Sequence, residues 1–378
     1  MSTQKWYEKY DRIASEIFND KIAFDKMTLP GLQTFRTMES ESTEPPEEII
    51  GGILRKGRKM LLSGPSKSAK SCLLMELAAA ISAGTTWLGY PCKKGKVLYV
   101  NLELDTSTAS ERFTYIFDEL GIDRGDEDDY DSSANNLCVW NLRGYSKPLP
   151  ALAEPLAYIC TQEDIDVVII DPIYKVLTGD ENNAGEIGKV CNELDWIAQE
   201  GDCAVIFSHH HSKGAKGNRQ VLDRSSGSGV FGRDPDAIMD LIQLESSAAA
   251  LDHMGGGQIT AWRMEAVLRE FPSIEPINCW FRFPIHTVDT EGLLDNTAAI
   301  GSPKANLNKS SKRVSKEDRE AAFNQAFEAL SEDGRPVKLA DMAAQMGVTQ
   351  QTVRNRFEEL KDQYWLENKM IGKLAKSA

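Results

Sequence analysis

Five apolar runs, none of them alternating, dominate the middle of the chain: "KMLLSG" from Lys59, "KVLYVNLELD" from Lys96, "LCVWNL" from Leu137, "DVVIID" from Asp166 and "CAVIFSHHH" from Cys203. A strand with one face in water alternates, whereas an unbroken aliphatic strand is covered on both faces. Between the runs lie stretches of helical spacing: "KSCLLMELAAAISAG", ended by Gly84, then "STASERFTYIFDELG", Leu149 to Cys160, and "AGEIGKVCNELDWIAQEG". Buried strands alternating with helices require a mostly parallel sheet between helix layers, an α/β fold. After "DPDAIMDLIQLE", the segments "QITAWRMEAVLREF" and "CWFRFPIHTVD" do alternate and are expected as antiparallel edge strands joined by Gly-containing turns.

The first run passes into "GPSKSAKSCLL", and that junction carries chemistry. The phosphate-loop pattern is G-x-x-x-x-G-K-[ST]; Gly64, Lys70 and Ser71 fit it, while Ala69 stands where the second glycine belongs. Such a loop works because consecutive backbone amides curl around a phosphate at a helix N-terminus, where the dipole favours anions. The lysine neutralises phosphate charge and the next hydroxyl ligates Mg²⁺. The nucleotide-binding set is therefore Gly64, Pro65, Ser66, Lys67, Ser68, Ala69, Lys70, Ser71 and Cys72. The extra methyl of Ala69 is harmless unless the backbone there needs a positive φ, where alanine costs on the order of 1 kcal/mol.

Three more residues fit around a bound ATP. Asp171 ends a strand of four consecutive aliphatics and is placed to hold Mg²⁺ with Ser71; a strand-end aspartate before proline can also simply cap the next turn. Glu103 lies at the C-terminal end of the second run, where open parallel sheets place their ligands. A carboxylate there orients and polarises water for attack on the γ-phosphate; Asp105 is the alternative, unless it starts the next helix as its N-cap. Three histidines close the fifth run, but neighbours on a strand face opposite sides, so they make a poor joint metal site. His209 is expected as a γ-phosphate sensor; for His210 and His211 the alternative is that they are solvated loop residues.

Composition sets the frame. The chain has 378 residues, room for two or three domains. It has no apolar run long enough to span a membrane, and its polar N-terminus lacks a signal core, which points to the cytosol. Seven cysteines occur singly, without a C-x-x-C pair, and read as reduced buried thiols. The net charge is −14, but residues 301–378 hold 14 basic against 11 acidic side chains. Sign asymmetry of this kind fits an acidic body that touches nucleic acid in a few places.

Residues 1–45 contain a short helix, Trp6 to Phe18, and an exposed Ser/Glu/Pro linker. Residues 46–298 form the α/β core, 299–314 a flexible linker, and 315–378 a small domain. In that domain "SKEDREAAFNQAFEALSEDG", "KLADMAAQMG" and "TQQTVRNRFEELKD" read as helices and "YWLENKMIGKL" as a two-stranded wing, a winged helix-turn-helix order. Gln350, Gln351, Arg354 and Arg356 lie on its presumed recognition helix.

With Glu103, "VVIIDP" and "FSHHHSKGA" placed around the loop, residues 46–290 resemble the RecA-type ATPases, nearest to the RepA-type hexameric helicases and related ATPases of plasmids, phages and conjugative elements. The resemblance implies a RecA-like core, ATP and Mg²⁺ as cofactors, a hexameric ring, and hydrolysis at subunit interfaces that moves single-stranded DNA. It implies Lys70, Ser71, Glu103, Asp171 and His209 as nucleotide and hydrolysis residues, and an arginine supplied by the neighbouring subunit. Arg233 and Arg224, in a Gly/Ser-rich loop, rank ahead of Arg263 and Arg269 for that role. Lys213, Lys216 and Arg219 fall where the resemblance puts a channel-lining DNA loop, with Gln351 and Arg354 as further DNA contacts. The expected function is a replicative DNA helicase of a mobile element, a DNA-dependent ATPase working with replication-initiation factors. A recombination or loading ATPase that binds DNA without unwinding, and a non-hydrolysing DNA-binding regulator, are the alternatives.

Overall fold

The computed structural model describes residues 34–41, 44–177, 179, 183–210, 229–254, 258–300, 316–331 and 335–346, and thereafter 353, 354, 357, 360, 361, 363–367 and 369–374. The expected helix at Trp6–Phe18, residues 301–314 of the expected linker and the segment carrying His211, Lys213, Lys216, Arg219 and Arg224 lie outside these residues, as do Gln350, Gln351 and Arg356. Where an exposed linker was expected within residues 1–45, Phe35–Glu41 is a short helix. The chain divides into two compact units, Met1–Lys304 and Ala305–Ala378.

The first unit is built on the sheet that the apolar runs require. Its strands are β1 (Lys59–Gly64), β2 (Val97–Asn101), β3 (Leu137–Asn141), β4 (Val167–Asp171), β5 (Ala204–His210), β6 (Ala237–Leu244), β7 (Ile259–Leu268), β8 (Ile277–Arg282) and β9 (Ile285–Val288). They lie in the order β9-β8-β7-β6-β1-β5-β4-β2-β3. Every pairing from β6 to β3 is parallel, and β6 to β9 pair antiparallel as an edge. The edge differs in one respect from expectation. "CWFRFPIHTVD" is not a single strand: Arg282 pairs with Ile285, so Phe283 and Pro284 turn the chain into a tight hairpin. Proline lacks the amide that an inner ladder needs, which breaks the run there.

Helices α1 (Lys70–Ala83), α2 (Thr106–Glu119), α3 (Leu149–Glu163) and α4 (Ala184–Glu200) connect the parallel strands. Side-chain alternation sorts them onto two faces. Met60, Leu62, Val97, Tyr99, Val167, Ile169, Ala204 and Ile206 pack with α1 and α2. Leu61, Leu98, Val100, Val168, Ile170, Val205 and Phe207 pack with α3 and α4. Helix α1 is apolar nearly all round, with every residue from Cys72 to Ser82 buried, so it sits inside the layer rather than on it. Gly84, at φ 70°, ends it. Glu76 in its middle meets the edge hairpin, with its Oε1 2.7 Å from His286 Nδ1 and its Oε2 accepting the His286 amide at 3.1 Å. Burial pushes the Glu76 carboxyl up, against the pull of His286.

Lys59 opens β1 as a buried cation. Its ammonium donates to the Cys191 carbonyl at 3.3 Å and pairs with Asp195 at 2.7 Å and with Asp234. Burial works against its charge, yet the hydrogen bonds to Asp195 and Asp234 hold the amine above its ordinary value. Its backbone amide donates to Asp236, which also pairs with Arg269 at 2.8 Å. These bonds fix where β1 starts, and hence where the loop after it falls.

The second unit has α5 (Lys316–Leu330), α6 (Leu339–Gln345) and three strands, β10 (Val337–Lys338), β11 (Tyr364–Glu367) and β12 (Met370–Lys373), in the order β10-β12-β11. Tyr364 anchors its core, with its ring against Phe323 and Phe327 and its hydroxyl donating to Asn324 at 2.7 Å.

Replacing Lys59 by methionine, which keeps the stem and removes the charge, is expected to lower the unfolding free energy by about 2 kcal/mol. A fully buried pair would lose more, but the Asp195 side chain is 54% exposed and rehydrates. Denaturant unfolding measures the change, and a wild-type midpoint would show that the cluster adds nothing to stability.

Candidate functional site

The C-terminal tips of β1, β2, β4 and β5 converge, because parallel strands in register end together. Ser63 pairs with His209, Gly64 with His210, and Asn101 with Asp171. The loop from Gly64 to Lys70 leaves β1 at that rim and enters α1. A side chain at Gly64 would be tight: a Cβ there would lie 3.1 Å from both Ser68 Oγ and Leu241 Cβ, and 3.3 Å from Lys70 Cδ, so these neighbours would have to give by a few tenths of an ångström. Lys67 (φ 60°) and Ala69 (φ 59°) are both left-handed. Alternating right- and left-handed residues aim successive amides into one concavity, the geometry of an anion nest. Among the described residues, the amides of Ser66, Lys67, Ser68, Ala69, Ser71 and Cys72 donate to no backbone carbonyl, and α1 has no side-chain cap. Unclaimed helix-start donors of this kind fit a phosphate group.

Lys70 is buried against the loop. Its ammonium donates to the carbonyls of Gly64 (3.1 Å) and Pro65 (2.7 Å) and to Ser68 Oγ (3.3 Å), and lies 3.1 Å from His210 Nδ1. Ser71, half-buried, follows in the first turn. Cys72 next to it is buried; burial pushes its thiol up to about 11, against the pull of Arg112 from α2.

Asp171 is buried at the end of β4. Its Oδ2 accepts from Tyr99 of β2 at 2.7 Å and its Oδ1 from Ser208 of β5 at 2.6 Å. Burial and the charge of Asp171 raise the Tyr99 phenol well above its ordinary value, so it stays a donor. Each carboxylate oxygen keeps one lone pair. No cluster of three His, Cys, Asp or Glu side chains suited to a metal occurs among the described residues. A single carboxylate with a hydroxyl nearby in the loop suits Mg²⁺, which takes one or two protein oxygens and fills its remaining positions with water and substrate phosphate. Asp171 and the Ser71 hydroxyl are the residues that would hold it.

Glu103 stands two residues beyond β2, exposed, on a turn shaped by Asn101. Asn101 Oδ1 accepts from the amides of Glu103 (3.3 Å) and Leu104 (2.9 Å), and its amide group donates to Leu104 O and Asn141 Oδ1. Glu103 Oε1 accepts a hydrogen bond from the Tyr174 hydroxyl. Burial, then that bond to Glu103, pushes the Tyr174 phenol up to about 12. Asp105 has the other role considered for it: it caps α2, accepting from the Thr108 amide at 3.0 Å. Hydrogen bonds from Ser107 and Thr108 hold its carboxyl well below the usual carboxylate range.

His209 is buried with its ring 5.0 Å from that of Phe231, on the face that carries α3 and α4. The histidine at Lys70 is His210, whose ring also lies 5.7 Å from Tyr174. Strand alternation could have found it, since Ser208 and His210 share the face of Asp171. Tyr174, in the turn Ile173–Lys175, had no signal in sequence spacing. Of the arginines weighed, Arg269 pairs with Asp236 and caps the carbonyls of Arg233 and Asp234, and Arg263 donates to Asn278. Arg233 is exposed and meets no acid among the described residues. Arg354 is exposed in the second unit, which the first unit's geometry does not bear on.

Since Ala69 is left-handed, Ala69→Gly is expected to raise stability by about 1 kcal/mol, whereas the same change inside a helix lowers it by a similar amount. Thermal unfolding reads the sign, and a lower midpoint would refute the strain.

A family model described as an AAA domain matches residues 26–216, just over half of the chain. A solved DnaB-like replicative helicase, described with its interactions with primase, is similar at 14% identity over 74% of each chain, with a TM-score of 0.45. No helix among the described residues is long and apolar enough to cross a membrane. The match spans the loop, Glu103, Asp171 and both strand-tip histidines: the chain belongs to the AAA domain family.

Proposed function

We propose that this protein is a DNA-dependent ATPase, a ring-forming replicative helicase of a mobile genetic element that couples ATP hydrolysis to movement along single-stranded DNA. One observation carries the reading: the Lys70 loop, the buried Asp171 and Glu103 meet at one rim of a parallel sheet, and Tyr174 and His210 join them. ATP supplies the transferable phosphoryl group, and Mg²⁺ the charge neutralisation that makes it reactive. Lys70 and the loop amides hold the anionic tail. Asp171 and Ser71 hold the metal, and Tyr99 and Ser208 fix Asp171 in place. Glu103 orients the attacking water and takes its proton. His210 touches Lys70 directly, which favours it over His209 as the residue that reports the γ-phosphate.

The rest of the assignment follows the RecA-type resemblance. Subunits form a hexameric ring, and Arg233 or Arg224 of one subunit completes the site of the next. Lys213, Lys216 and Arg219 contact the phosphates of the translocating strand. Residues 315–378 are a winged helix-turn-helix that meets DNA through Gln351 and Arg354, or meets replication-initiation factors. The helix-and-sheet order of the second unit supports that domain.

Turnover of ATP with and without single-stranded DNA tests the reading. Lys70→Ala and Glu103→Gln are each expected to lower turnover on the order of 100-fold, the usual size of a lost proton-transfer or charge-stabilising group. Strand separation on a forked duplex under ATP then distinguishes a helicase from a loading ATPase. Turnover untouched by either substitution would remove the site assignment.

A further inference from the structure

The rim beside Glu103 holds more than the water-orienting carboxylate. A cavity of about 560 Å³ opens there, lined by Glu103, Arg143, Gly144, Ser146 and Lys175. Between two of its lining residues stands Tyr145, 75% exposed, within the run Arg143-Gly144-Tyr145-Ser146-Lys147. All five of those residues are exposed. Arg143 has an acid at salt-bridge range, Asp105 at 3.7 Å, a loose pairing for a guanidinium that could grip an anion at bonding distance. Lys175 lies 5.2 Å from the Tyr174 ring, and the two are neighbours on one short turn. Two cations line the cavity, and each has an exposed tyrosine close by in the chain, Tyr145 two residues after Arg143 and Tyr174 next to Lys175. Cations for the backbone with rings for a base are the pattern that binds single strands. An acidic peptide would use the cations and leave the rings idle.

The same turn carries the group that holds Glu103. The Tyr174 hydroxyl donates to Glu103 Oε1, and a carboxylate oxygen so engaged is a weaker base and is turned toward the phenol. A phosphate that draws Lys175 toward Arg143 pulls on the residue next to Tyr174. We propose that the cavity takes a backbone phosphate of single-stranded nucleic acid and that Tyr174 is the positioning residue that reports its arrival, letting go of Glu103 so that the carboxylate reaches the attacking water. This rests on the function proposed above, and it adds to it a binding site and the route by which nucleic acid speeds hydrolysis.

The test uses the full chain and an oligothymidylate probe. Arg143→Ala is expected to flatten the dependence of log affinity on log salt by about 0.7, the share of one phosphate contact on a single strand. Tyr174→Phe, which keeps the ring against His210, is expected to raise turnover without the oligonucleotide about fivefold, the equivalent of one hydrogen bond, and to shrink the stimulation that the oligonucleotide gives. Misfolding cannot produce that gain. A wild-type salt slope in Arg143→Ala, or unstimulated turnover in Tyr174→Phe at or below the wild-type rate, overturns the proposal. Equal stimulation by inorganic polyphosphate overturns it as well, because the exposed rings would then have no base to stack. If Glu103→Gln keeps full turnover, or the oligonucleotide does not stimulate the wild type, the underlying ATPase reading fails and takes this one with it. Failure confined to Arg143 and Tyr174 leaves the ATPase reading standing.

Discussion

The interaction on which the rest depends is the pair of hydrogen bonds that Asp171 receives from the strands on either side of it. A carboxylate taken out of water is costly unless donors surround it, and charge-assisted bonds of 2.6–2.7 Å from Ser208 and Tyr99 supply them. The donors sit on β5 and β2, so the bonds tie three strands at their tips. They also set register. A slip of one residue in either neighbour would turn its donor to the other face and leave the charge unpaired. Once that register holds, Ser208 and His210 must share a face, and His210 must arrive at the loop lysine. The position of His210 is thus a consequence of where Asp171 finds its partners.

The loop is held from the other side by conformation rather than charge. Two side-chain-bearing residues, Lys67 and Ala69, sit at φ near 60°, a region in which glycine is free and others are strained. Strain of this kind persists only when the surroundings over-determine it. Here they do: β1 is fixed at its start by Lys59, α1 is packed on all sides, and the two ends leave the connecting residues a short span to cross. The backbone amides face inward because the frame leaves the loop no relaxed alternative. Ala69 breaks a local sequence rule at the one place where such breaks concentrate, a functional turn.

Much of this was legible in the residues. Unbroken aliphatic runs could only be doubly covered strands, and their spacing left room for helices and little else, so the parallel core follows from "KMLLSG", "DVVIID" and "CAVIFS". Gly64, Lys70, Ser71, Glu103 and Asp171 could be placed at strand tips for the same reason. Asp105 could be read two ways, because capping and catalysis both want a carboxylate before a helix, and three-dimensional partners were needed to choose. Tyr174 was out of reach. It lies on a turn of three residues with no periodicity, and its link to Glu103 joins positions 71 apart in sequence. The hairpin at Phe283-Pro284 was hidden for a related reason, since two short strands with a two-residue turn have the alternation of one longer strand.

Charge explains how an acidic protein can present a site for a polyanion. The whole chain carries −14, which would oppose nucleic acid if charges acted at long range. At physiological ionic strength, interactions between exposed charges fade over about 8 Å, so the cations lining a cavity count for more than the sum over the surface. Arg143 and Lys175 line a cavity beside Glu103 at the sheet rim. Few cations per subunit give weak binding, however, because affinity for a phosphate backbone grows with the number of phosphates neutralised. A single subunit would hold a strand poorly, and several copies set along one strand would hold it well through effective concentration alone. Under the function proposed above, a chain of this composition would gain a firm grip on DNA by assembling, and an acidic surface outside the grip would oppose indiscriminate binding of nucleic acid.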